Sequence, residues 1–164
     1  MKSALSAILL IAAQFGSASA QAGNDVGIER LATCKDSWLD WKKSEPGRLK
    51  SFGDHFRSTF SSNENDPFYV PKSSESIFGL RILQAYPDNV GMGVGFSVLV
   101  DAPFDKARKT LEASLGKPLA KCDNGDGMKT CALEIGAMRT VMLMAEDSPK
   151  STSTLLGCYY FYEK

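Results

Sequence analysis

Apolar residues in the N-terminal part of the chain recur at three- and four-residue intervals. Ile28, Leu31, Cys34, Trp38 and Trp41 share one face if residues 26–43 are helical. Pro46-Gly47 interrupts that period, and Leu49, Phe52, Phe56 and Phe60 resume it, which predicts a second helix over about 48–60. The clearest helix lies in DAPFDKARKTLEASLGK. Asp101 and Pro103 mark its start, Phe104, Ala107, Leu111 and Leu115 form its stripe, and Gly116 ends it ahead of Pro118.

Elsewhere the pattern changes to strands. FGLRILQAY at 78–86 is followed by a Pro-Asp-Asn turn cluster at 87–89. Residues 130–135, 139–145 and 154–162 are three further strands, with Gly136-Ala137 a tight hairpin and EDSPKSTS a polar loop. Residues 61–76, SSNENDPFYVPKSSES, carry neither period and are expected to form a long irregular connection. The order is two helices and then β-β-α-β-β-β. It predicts an α+β domain with a mostly antiparallel five-stranded sheet and helices packed on one face.

NVGMGVGFSVLV, residues 89–100, tests for nucleotide binding. The dinucleotide fingerprint needs glycine at relative positions 1, 3 and 6, but the sixth position is Phe96 counted from Gly91 and Val98 counted from Gly93. The run continues as a strand, not a helix. Val94, Phe96, Val98 and Val100 form one face, and Gly93, Gly95 and Ser97 form a bare one. Glycines inside a strand imply close approach of a backbone, a ring or a ligand. The final strand, LLGCYYFYEK, is aromatic on both faces, so its tyrosines are candidates to cover the bare surface.

Lys2, the apolar run from Ala4 to Ala13 and the Ala18-Ser19-Ala20 pattern form a cleavable secretory signal over 1–20. The apolar run is short of the roughly 20 residues that cross a bilayer. The expected mature domain, 21–164, has 18 basic against 19 acidic side chains once Lys2 is removed. Nucleic-acid and anionic-membrane binding therefore lack an electrostatic driver. Four cysteines in an exported chain imply two disulfides. The turn-rich CDNGDGMKTC segment pairs Cys122 with Cys131, leaving Cys34 to join Cys158.

Candidate chemistry is sparse. His55 is the only histidine, and oxidised cysteines leave it without a thiol partner. No cofactor and no metal site are expected, because zinc sites combine several Cys and His ligands. Asp123 and Asp126 do not follow the EF-hand spacing, since Gly125 and Gly127 stand where oxygen donors belong. Ser114 and Lys117 match S-x-x-K by letter, but Gly116 ends the helix between them.

These features point to a small non-enzymatic binding or inhibitory protein, periplasmic or secreted, acting by surface contact with a protein or cell-envelope partner. Phe68 and Tyr69 in the proline-flanked segment, with Asp88, Asn89 and Met92 near a hairpin tip, are the expected contact residues. Two alternatives are a carrier of a small hydrophobic ligand over the Gly93/Gly95 face and a hydrolase using scattered carboxylates.

Overall fold

The computed structural model describes residues 27–59, 68–87, 94–136 and 138–160. The leader at 1–20 and the contact candidates Asp88, Asn89 and Met92 lie outside the described residues. No helix among the described residues is long and apolar enough to cross a membrane.

Where one helix was expected over 26–43 there are two, α1 (Ile28–Ala32) and α2 (Trp38–Ser44). Cys34 sits between them at φ 61°, a left-handed conformation that ends the first helix. The Ser37 side chain then accepts a hydrogen bond from the Asp40 N–H and caps the second. α3 (Pro46–His55) begins with proline in its first turn. It stops at His55 and not at residue 60, because β1 (Phe56–Thr59) pairs with β2 (Phe68–Pro71). Phe56 keeps its place against Phe52, their rings stacked at 4.6 Å, so the shared period survives the change from helix to strand.

The segment expected to be irregular thus contains β2, and beyond it β3 (Ser76–Ile77). β3 turns through Phe78-Gly79, both at positive φ, into β4 (Leu80–Pro87). β5 (Val94–Val100) and α4 (Phe104–Leu115) come after it. Next are β6 (Lys121–Gly125), β7 (Met128–Glu134), β8 (Arg139–Glu146) and β9 (Thr154–Tyr160). The sheet has nine strands among the described residues, not five. Its order is β1-β2-β4-β5-β9-β8-β7-β6, with β3 beside β4 and every pairing antiparallel. β6 has no apolar alternation and every residue in it is exposed. It forms because Asp126-Gly127, both at positive φ, supply a two-residue hairpin turn.

Directly opposed residues share a sheet face, so the register assigns the sides. Ala85, Val98, Leu156, Leu143 and Cys131 form one cross-strand row, and Phe96, Cys158, Val141 and Leu133 the next. This is the first face. Trp38 meets Phe96 at 5.8 Å, Phe52 meets Phe96 at 6.1 Å, and Ala107 and Leu111 of α4 join the same buried cluster. Each such large side chain, when fully buried, stabilises the fold by roughly 1.5–3 kcal/mol. Two disulfides, Cys34–Cys158 and Cys122–Cys131, span 124 and 9 residues of sequence.

Candidate functional site

The second face of the sheet is read from the same register. Gln84, Leu99, Leu155, Met144 and Thr130 make one row, and Tyr86, Ser97, Gly157, Met142 and Ala132 the next. Phe68 reaches this face as well, 6.2 Å from the Tyr86 ring. Phe68, Leu99, Met142, Met144 and Leu155 are all half-buried, and none belongs to the buried core cluster. Lys121, Asp123 and Glu134 continue the rows toward the sheet edge.

Tyr69, the other described contact candidate, lies on the opposite side. Adjacent strand residues point to opposite faces, and the Tyr69 ring meets Phe52 edge-on at 5.3 Å. The two neighbouring aromatic residues therefore do not act on one surface.

Gly95 stands opposite Tyr159, and Gly157 opposite Ser97. A Cβ at Gly95 would fall 2.0 Å from the Cys158 carbonyl oxygen, and one at Gly157 would fall 2.3 Å from the Phe96 carbonyl oxygen. Close approach of two backbones explains the glycine at 95, whereas Gly93 lies outside the described residues. Ser97 and Tyr159 are 0% and 3% exposed, and neither hydroxyl has an aligned hydrogen-bond partner among the described residues. Burial pushes the Tyr159 phenol well above its ordinary pKa, and the neighbouring Ser97 hydroxyl tempers the rise.

A second feature has no signature in the sequence. A cleft of about 160 Å³ opens beside the Cys34–Cys158 bridge, lined by Lys35, Asp36, Ser37, Asp40, Trp41, Glu45, Arg48 and Arg139. Asp36 accepts hydrogen bonds from Arg30 at 2.8 and 3.0 Å and from Arg48 at 2.6 Å. The Arg30 bonds hold its carboxyl below the usual range against the opposing effect of burial. The charges of Arg30 and Arg48 and a bond from Trp41 reinforce them. The Arg48 guanidinium lies 5.3 Å over Trp41. Arg139 lies 5.4 Å over Tyr160 and donates to the Cys34 carbonyl at 3.3 Å, while the Tyr160 hydroxyl donates to the Asp36 carbonyl at 2.9 Å. These residues come from the α1–α2 connection, α2, α3 and β8, and no spacing in the sequence links them.

His55 is 2.9 Å from Glu75 through Nδ1, and the Ser73 hydroxyl donates to the same carboxylate oxygen at 3.0 Å. A nucleophilic triad puts the imidazole between hydroxyl and carboxylate. Here the carboxylate is central, so the group fastens residues 73–75 to the end of α3. Ser114 donates to the Thr110 carbonyl at 3.1 Å and is spent within α4. Among the described residues, no group of three or more His, Cys, Asp or Glu side chains is placed to hold a metal ion.

No family model, curated protein or solved structure matches this chain.

Proposed function

We propose that this chain is a non-enzymatic binding protein, exported to the periplasm or outside the cell. It contacts a protein or cell-envelope partner through the second face of its sheet. The reading rests on one observation: Phe68, Leu99, Leu155, Met142 and Met144 stand together there, half-buried and outside the core cluster. Trp38 and Phe52 meet Phe96 of the other face, and Ala107 and Leu111 belong to the buried cluster, which supports a reading in which the helices lie on that side. Methionine and aromatic residues are favoured at recognition surfaces because they adapt in shape and bury much area. The charged positions at the edge of the rows supply a polar rim. Two disulfides support an oxidising compartment.

The test is affinity capture from an envelope extract of the source organism with wild-type protein and with Met142→Glu and Met144→Glu. A partner held through this face is retained by the wild type and lost from both variants, whose thermal unfolding stays within a few degrees of wild type. If the captured set is identical for all three proteins, the face is not the contact surface.

A hydrophobic-ligand carrier is favoured by a separate observation. The buried Ser97 and Tyr159 hydroxyls lie on this same face, and neither has an aligned hydrogen-bond partner among the described residues. A polar end of an apolar ligand would satisfy them. Native mass spectrometry of freshly purified protein separates the readings, because a carrier retains a small-molecule mass that a docking protein lacks.

A further inference from the structure

The cleft beside the Cys34–Cys158 bridge carries charges that its own pairings leave over. Asp36 is matched by Arg30 and Arg48, and Glu45 lies 3.8 Å from Arg48. Lys35 and Arg139 form no ion pair among the described residues, and neither does Asp40. Two cations and one carboxylate thus line one small opening without an ion pair among the described residues.

The Arg139 guanidinium is held in place before anything binds. The Tyr160 ring lies beneath it, and one of its five N–H donors is given to the Cys34 carbonyl. Tyr160 and Cys34 are themselves fixed, the first by its bond to the Asp36 carbonyl and the second by its bridge to β9. The remaining donors of Arg139 have no partner among the described residues and suit a planar oxyanion. A simple anion seated there would also face Asp40 and Glu45, and a simple cation would face Lys35 and Arg139. A molecule carrying both charges offends neither set.

We propose that this cleft binds a small zwitterion in which an ammonium group lies a few bonds from an oxyanion, a free α-amino acid being the simplest example. The oxyanion meets Arg139 and Lys35, and the ammonium meets Asp40 and Glu45. The cleft volume is about 160 Å³, room for several waters. It accommodates the charged end of such a ligand and leaves a larger side chain in solvent. This site is independent of the sheet face and stands or falls without it.

The experiment is an NMR titration of the oxidised protein, read at the Trp41 indole and the Arg139 side chain. The probes are L-alanine, N-acetyl-L-alanine, L-alaninamide and phosphoethanolamine. L-alanine should shift both signals saturably, and removing either ligand charge should weaken binding by about tenfold or more, as loss of a charge-assisted hydrogen bond does. Arg139→Gln should cause a similar loss. Lys35→Gln, at an exposed residue with no ion pair among the described residues, should weaken binding without affecting the fold. Asp40→Asn should reduce the preference for L-alanine over its N-acetyl derivative. Tighter binding of phosphoethanolamine than of L-alanine keeps the same chemistry and assigns its source to a phospholipid headgroup. Absence of saturable shifts with both zwitterions, or equal binding of the acetylated, amidated and free forms, overturns the proposal.

Discussion

Replacing Gly95 by alanine tests the account of the glycine-rich strand most directly. The new methyl carbon would lie 2.0 Å from the Cys158 carbonyl oxygen, 3.0 Å from its carbon and 3.1 Å from the Tyr159 Cα, where ordinary contact begins near 3.4 Å. Every one of these atoms is backbone, so no side chain can rotate away. The β5 and β9 strands must separate locally by more than an ångström, and β9 is held from its other side by β8. Overpacking of this kind costs about 1–3 kcal/mol, and each ladder hydrogen bond lost adds about 1 kcal/mol. The reduced entropy of the unfolded chain returns about 0.4–1 kcal/mol. With a ladder bond lost, the net expectation is a loss of about 1–4 kcal/mol, or about 3–15 °C in Tm for a domain of this size. Gly53 is the internal control. It lies in α3 with nothing within 4 Å of where a methyl group would stand, so Gly53→Ala should stabilise by about 0.5–1 kcal/mol. Thermal and denaturant unfolding of both variants in the oxidised state provides the measurement. A Gly95→Ala protein within about 1 kcal/mol of wild type would refute the close-approach explanation.

Two further outcomes are expected. Replacing Cys34 and Cys158 by serine should cost about 5 kcal/mol from the long loop that the bridge closes, whereas the Cys122/Cys131 pair should cost about 2.7 kcal/mol; equal losses in urea denaturation would contradict the loop argument. Tyr159→Phe removes a buried hydroxyl with no aligned partner among the described residues and should stabilise by about 1 kcal/mol at about pH 7. Because burial raises the folded-state pKa above the unfolded value near 10, this phenol leaves stability unchanged below about pH 10 and lowers it as pH rises beyond that. The variant should lose stability less steeply above about pH 10, and a parallel decline in unfolding free energy would count against burial as the cause.

Local pattern was enough for the elements that satisfy their own periodicity. The α4 stripe and its Gly116 end, the alternation from Val94 to Val100, and the even cysteine count all express constraints that act within a few residues or through simple chemistry. They are legible because each residue's environment is set by its own helix turn or strand pleat. β6 and β1 became strands for a different reason. KCDNG has no apolar period and pairs because the Asp126-Gly127 turn returns the chain to it. Phe56 fits a helical stripe equally well, and only pairing with Pro71 across the sheet makes it a strand residue.

The candidate sites depended still more on tertiary structure. Phe68 and Tyr69 look alike in sequence, yet strand alternation sends one to the second face and the other against Phe52. Lys35, Asp40 and Arg139 are ordinary surface residues until Cys34 meets Cys158 and draws β8 toward the start of the domain. Sequence determined an α+β chain, its sulfur content and its principal apolar stripes. The sheet order, the two faces and the grouping of charges were decided by long-range pairing. Which strands lie side by side is fixed by contacts between residues far apart in the chain, and no local periodicity encodes that.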